Sequence, residues 1–422
     1  MKPRFGMELH QTVLDNGLSV YYLPNPTFSK TFALLAVNFG SVDERFTLDG
    51  IPRELPAGVA HFLEHKMFED ADGNALQKYA VTGASPNAFT SHTMTAYHFS
   101  CTDGFAENLE ILLRFVFTPY FTDANVQKEK GIIGQEIGML DDTPDWVAYM
   151  GVFEGLYHEH PVHTSIAGSV DSISGITPSL LFDCHRAFYH PSNACLVVCG
   201  TADWDELVRM AAVLTPSDAA APVVERQYGT RQNTVAHSVI EHRMAVSQPT
   251  FQLGFKDKPL EAGESRLRRQ LVGDLAARIL CGRTSPLFTE LYEQGLVTRR
   301  FDSSYTLLPQ GACAVCGGDS ADPQTVRTRL EQAVQTYAAE GVPEELFTRM
   351  KKACYGLNVR VLDEPDDLCR SQVEAAFAGE CYLDFAQVFE TITAEDVQQM
   401  FVRWAQPDCT TLSVVWPRTE NE

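Results

Sequence analysis

The stretch Ile176-Thr177-Pro178-Ser179-Leu180-Leu181-Phe182-Asp183-Cys184-His185-Arg186-Ala187-Phe188, followed by the apolar run Leu196-Val197-Val198, decides the fold. Thr177 is suited to cap a helix that runs through Phe188, because its hydroxyl can accept a hydrogen bond from an otherwise unpaired N–H of the first turn. The apolar run has strand length. The same order returns 216 residues later, where Ile392-Thr393-Ala394 leads through Met400 and Trp404 to Leu412-Ser413-Val414-Val415 (176 to 392, 196 to 412). A helix-to-strand unit repeated at constant offset predicts a duplicated domain.

Between the copies, Thr215-Pro216-Ser217-Asp218-Ala219-Ala220-Ala221-Pro222 is short of large apolar residues and reads as a linker. The expected organisation is a first domain over residues 1–215, a linker over 216–232 and a homologous second domain over 233–422. At about 200 residues, each half suits a single hydrophobic core. Within each half the periodicity is mixed and does not alternate strand with helix, which predicts an α+β fold, an antiparallel sheet covered by helices. Residues 18–23 and 31–39 are expected to form one hairpin, and residues 87–91 and 95–101 another. Helical spacing covers 105–117 and 123–140. In the second half, 251–256 and 300–308 read as strands, and 266–280 and 326–337 as helices.

The 422 residues carry 33 Lys+Arg against 55 Asp+Glu, a formal net charge of −22 that argues against nucleic-acid binding. Hydrophobic residues make up 45% and charged residues 21%, which is the composition of a globular protein. No uncharged apolar run approaches the roughly 20 residues needed to cross a bilayer, and no apolar stretch follows Met1-Lys2-Pro3-Arg4 as a secretory signal requires. The 11 cysteines, scattered from Cys101 to Cys409, read as buried small hydrophobes and not as a disulfide framework. A cytoplasmic protein without a membrane partner is expected.

His61-Phe62-Leu63-Glu64-His65 is the most informative motif. Histidines at i and i+4 share a helical face, so both imidazoles can reach one ion, and Glu64 lies beside them. The order H-x-x-E-H is that of the inverted zincins. A catalytic zinc ordinarily takes a third protein donor. Glu136 could supply it from the helical stretch 127–137, with Glu129 two turns earlier on the same face, placed to hold a ligating histidine. On spacing alone, a solvated helix face explains this glutamate pair equally well.

These residues, together with the run His160-Pro161, Gly168, Ile176-Thr177, Tyr189, Pro191-Ser192-Asn193 and Gly200, resemble the insulinase/pitrilysin family of zinc metallopeptidases. The similarity spans most of the first half. It is strongest to short two-domain bacterial members related to the catalytic subunit of mitochondrial processing peptidase. The resemblance implies two homologous domains forming half of a clamshell chamber. It also implies one Zn2+ per chain held by His61, His65 and Glu136, with Glu64 as general base and Glu129 in support. Peptide substrate would add as a strand beside Asn87, Ala88, Phe89 and Thr90, where backbone pairing gives affinity without reading every side chain. An ordinary hairpin predicts the same local sequence. The implied activity is that of a zinc endopeptidase acting on peptides or unfolded segments. The alternatives are a non-catalytic chamber or scaffold subunit and a maturation protease for one dedicated peptide.

The second half departs from the family pattern. Many members carry Leu-Arg-Glu-Lys-x-Gly-Leu-x-Tyr there, whose Arg and Tyr reach the substrate, whereas this chain reads Leu291-Tyr292-Glu293-Gln294-Gly295-Leu296-Val297-Thr298. Arg299, Arg300 and Tyr305 have the wrong spacing to replace them. A complete metal motif with a degraded clamp implies a hetero- or homodimer with a related two-domain subunit. Other clusters read more simply. His158, His160 and His163 with Glu154 and Glu159 imitate a second metal site, but the resemblance places His160-Pro161 in a structural turn. Cys313-Ala314-Val315-Cys316 lacks a companion pair, so buried thiols are expected. His92 and His98 read as surface or partly buried polar residues. No phosphate-cradling glycine loop and no Gly-x-Ser-x-Gly elbow is present. Lining a chamber, the acid excess would favour basic peptides.

Overall fold

The computed structural model describes residues 5–71, 73–217 and 220–418. The chain packs as two units, the first comprising Met1–Gln135, Ser165–Gln227 and Arg360–Leu383, the second Glu136–Thr164, Tyr228–Val359 and Asp384–Glu422. The strands of the first unit are β1 (His10–Val13), β2 (Ser19–Pro24), β3 (Thr31–Val37), β4 (Arg45–Leu48), β5 (Ile51–Glu54), β6 (Glu69–Asp70), β7 (Gly73–Asn74), β8 (Ser85–Thr90), β9 (Thr95–Cys101), β10 (Ala194–Gly200) and β11 (Val224–Gln227). Six of them form one sheet in the order β1-β2-β10-β3-β9-β8. Its central strands are its most apolar ones: every residue of β3 and β10 is buried. A continuous apolar run suits a strand covered on both faces.

The second unit holds β12 (Val239–Met244), β13 (Thr250–Asp257), β14 (Asp302–Leu308), β15 (Gly311–Asp319) and β16 (Thr410–Pro417), in the order β12-β16-β13-β15-β14. This matches β2-β10-β3-β9-β8 strand for strand, including the one parallel pair in each sheet, β10 with β2 and β12 with β16. The architecture is α+β, with two related, mainly antiparallel sheets. The threonines that mark the repeat act as caps. Thr177 accepts from the N–H of Leu180 ahead of the helix Pro178–Phe188, and Thr393 forms a capping box with Asp396 ahead of Ala394–Trp404.

The hairpin expected between residues 18–23 and 31–39 does not form. The strand β10 lies between its two arms, parallel to β2 and antiparallel to β3, in register Leu196 with Val20 and Leu35. The adjacent arms are local in sequence, but the central position goes to the strand with more apolar surface to bury, far along the chain. The hairpin of β8 and β9 is as expected, with Asn87 opposite His98 and Phe89 opposite Ala96.

Packing also interleaves the two halves. The helix Pro144–Leu156, from the first half, lies on β12, β13 and β16 within the second unit, and Pro365–Phe377, from the second half, lies on β3 and β10 within the first. The stretch expected as a linker includes residues 218 and 219, which lie outside the described residues, as do residues 1–4. Beyond them β11 pairs with β4, and Arg226 places its Nε 3.1 Å from Asp43 Oδ1 in the first unit. Ten of the 11 cysteines are buried, all are free thiols, and Cys381 is half-buried. Among the described residues no helix is long and apolar enough to cross a membrane.

Candidate metal centre

His61, Glu64 and His65 lie on the helix Val59–Met67, whose apolar side, Val59, Phe62, Leu63 and Met67, is buried. The start of this helix is clamped. Gly58 has φ +89°, and a Cβ there would come 2.4 Å from the carbonyl oxygen of Ala167. From the other side, Ser172 Oγ donates to the carbonyl of Ala57 at 2.8 Å. The close approach and the left-handed backbone both require glycine at position 58. Through these contacts the loop around Gly168 fixes where the two histidines emerge.

The rings of His61 and His65 stand one turn apart, with centroids 4.6 Å apart and planes at 59°. Glu136 comes from the helix Asp123–Asp141, which continues unbroken across the boundary between Gln135 and Glu136. One donor atom from each of His61, His65 and Glu136 lies within 4.8 Å of the others, and among the described residues this is the one such group of three. Two imidazoles and a carboxylate are a donor set used by catalytic zinc, which keeps a fourth position open.

Glu129 meets His65, with Oε1 3.1 Å from Nδ1. Burial would push the Glu129 carboxyl up, but the hydrogen bond with His65 and the charge of Lys66 outweigh it and hold its pKa below the ordinary value. An ionised Glu129 accepts a hydrogen bond from Nδ1–H, which leaves Nε2 of His65 with its lone pair for an ion. Lys66 is 0% exposed and donates to Glu69 Oε2 at 2.6 Å as well as to Glu129 Oε2 at 3.5 Å. A buried ammonium is tolerated where carboxylates neutralise it. Nothing near Lys66 in the chain points to this role, since its partner Glu129 is brought to it by folding.

Glu64 is buried between the two histidines in sequence, and Thr90 Oγ1 donates to its Oε2 at 2.7 Å. The donor sits at the end of β8, the outermost strand of its sheet. The same strand carries Asn87, Ala88 and Phe89. Asn87 is exposed and its Oδ1 accepts from the N–H of Ala88 at 2.9 Å, while Phe89 is half-buried. The structure therefore brings Glu64, the two histidines, Glu129, Glu136 and the strand edge into one region.

Residues 23–170 match the family described as Insulinase (Peptidase family M16), and residues 175–354 match that described as Peptidase M16 inactive domain. An uncharacterized zinc protease, YmfH, from Bacillus subtilis is 38% identical over 416 residues, 97% of each chain. The chain belongs to the insulinase (M16) family. A crystal structure of an M16-like peptidase from Alicyclobacillus acidocaldarius is 35% identical, with a TM-score of 0.94 over 98% of this chain and 99% of that one. A Helicobacter pylori protease shares the fold at 17% identity, with a TM-score of 0.83 over 97% of this chain and all of that one. The division of the M16 match into two descriptions agrees with a metal motif confined to the first half.

Two other clusters of this M16 chain have local structural partners. His160 uses both ring nitrogens: Nδ1 accepts from the N–H of Val162 at 3.1 Å and Nε2 donates to the carbonyl of Pro309 at 2.7 Å. A cleft of about 1040 Å³ in the second unit is lined by Lys256, Arg269 and Arg403, whose charges are engaged. Lys256 donates to the carbonyls of Leu156 and Thr234, and both arginines face Asp257. His92 is buried and His98 half-buried.

Proposed function

We propose that this chain is a zinc-dependent endopeptidase that hydrolyses peptides or unfolded segments. The observation that carries the reading is the convergence of His61, His65 and Glu136 beside Glu64, whose carboxylate is held by a residue of an outermost strand. His61, His65 and Glu136 hold the ion, and Glu129 orients His65. A bound zinc ion supplies Lewis acidity, which polarises a scissile carbonyl and acidifies water. Glu64 takes the proton of the attacking water at a carboxylate oxygen and returns it to the leaving amine. Thr90 keeps that carboxylate oriented through Oε2. Substrate lies along β8 as an added strand, paired through the backbone beside Asn87, Ala88 and Phe89.

The chain works as a dimer with a related two-domain subunit, a hetero- or homodimer that closes a chamber. The support for this is the second half, where Tyr292 stands in place of the family's arginine. Bound zinc should be measured by elemental analysis, and cleavage followed on an unbiased peptide pool, with Glu64→Gln as control and with a related subunit added or withheld. Stoichiometric zinc in both chains with cleavage only by the unmodified one is the expected result. Equal activity in both chains, with zinc well below one per chain, would overturn the reading.

A further inference from the structure

Phe89 is covered by a cation. The guanidinium carbon of Arg370 lies over the Phe89 ring, 4.0 Å from its centroid, a cation–π contact. Arg370 belongs to Pro365–Phe377, the helix that crosses from the second half of the sequence to lie on the first sheet, and both residues are in the first unit. Cross-strand partners share a face, so the register puts Phe89 with Ala96 and Asn87 with His98 on the face toward Arg370. Thr90, with Glu64, is on the opposite face.

The arginine has little else to hold. Its Nη2 stands 3.4 Å from Asp366 Oδ1, one turn away on the same helix, and both side chains are substantially exposed, 40% and 48%. Such a pair contributes little. Its Nε is buried without a hydrogen-bond partner among the described residues. The ring contact holds the guanidinium in place, and a held guanidinium offers its N–H groups as a fork for a carboxylate. Adjacent strands lie about 4.8 Å apart, within reach of a long side chain across the edge.

We infer that Arg370 is a specificity-determining residue that reads a carboxylate on a peptide lying along β8. The carboxylate belongs to a side chain pointing to the Phe89 face or to the C-terminus of the peptide. This inference rests on the proposed strand-addition mode and adds a preference to it. In a chain of net charge −22 it marks one place where acid is favoured over base.

The test separates the preference from catalysis by measuring binding directly. Labelled peptides matched except for Glu, Gln or Lys at one position, each with a free or an amidated C-terminus, are titrated by fluorescence anisotropy into the zinc-loaded Glu64→Gln chain. The same titrations are made with the Glu64→Gln/Arg370→Glu and Glu64→Gln/Phe89→Leu chains. Cleavage of the same set by the chain with Glu64 intact, with and without Arg370→Glu, gives kcat and KM. The expected result is about tenfold tighter binding of the Glu peptide than of the Lys peptide at low salt, reversed by Arg370→Glu and weakened by Phe89→Leu. In cleavage the preference resides in KM. If instead the free-acid peptide binds tighter than the amide whatever residue stands at the varied position, and Arg370→Glu removes that difference, the carboxylate read is the C-terminal one. Glu-to-Lys and acid-to-amide ratios both unchanged in the Arg370→Glu chain, or no peptide binding at all, overturn the inference. A charge-dependent ratio without any cleavage leaves Arg370 in its role and removes the peptidase reading instead.

Discussion

Thr90 Oγ1 donates to Glu64 Oε2 at 2.7 Å, which joins the last residue of an outermost strand to the carboxylate set between the two histidines. A hydrogen bond to a charged acceptor contributes about 1.5–3 kcal/mol, so Thr90→Val should lower kcat by roughly ten- to a hundredfold. Zinc content should stay at the unmodified level, because the residue Thr90 holds is Glu64, which is not a proposed ligand. Steady-state kinetics with parallel metal analysis checks both parts, and loss of zinc in the variant would contradict the assignment.

Glu129→Gln should weaken zinc binding by about 10- to 100-fold, the usual effect of removing a carboxylate behind a ligating histidine. Lys66 keeps Glu69 as a partner, so the fold should survive. Competition with a chromophoric chelator reads the affinity, and circular dichroism reads the fold.

Gly58→Ala places a methyl group 2.4 Å from the carbonyl oxygen of Ala167 and leaves a non-glycine residue at φ +89°. The backbone strain alone is on the order of 1–3 kcal/mol. A lowered midpoint in thermal or urea unfolding is expected, together with reduced zinc affinity, since the histidine helix starts at this contact.

Two buried histidines predict acid sensitivity. Burial is the main cause that lowers the pKa of both His160 and His185, to about 4. His160 donates to Pro309 and His185 donates from Nε2 to the carbonyl of Val116 at 3.0 Å. Both are therefore neutral in the folded chain at pH 7. An unfolded histidine titrates near 6.5, so the stability each contributes is full above that pH and is lost as pH falls toward 4. The loss is on the order of 3 kcal/mol per residue by linkage. Urea unfolding between pH 7 and 4 should show it, and His185→Gln should flatten that slope even if the variant is less stable at pH 7. A slope unchanged in His185→Gln would show that His185 does not drive it.

Local chemistry made part of this molecule readable from the sequence. Thr177 and Thr393 announce their helices because a cap involves only neighbours in sequence, and the spacing of His61 and His65 follows from the helical repeat. Glu136 could be paired with them because Glu129 shares its face. What could not be read depended on distant partners. Nothing near residue 18 says that β10 will separate β2 from β3, since that order is decided by which strand buries the most apolar surface. Lys66 looks like an ordinary surface lysine until Glu129 and Glu69 close over it. Arg370 stands far along the chain from Phe89, and only packing brings them together.

The exchanged helices bear on how the protein is made. While the chain is being synthesised, β3 and β10 are complete long before Pro365–Phe377 exists to lie on them. On the face that this helix covers, the apolar strands β3 and β10 must wait for more than 150 residues of further translation. Such a nascent species is prone to aggregate or to need a chaperone. A gene truncated between the two copies of the repeat would for the same reason yield an insoluble product, and supplying the second half as a separate polypeptide should restore solubility by delivering the missing cover.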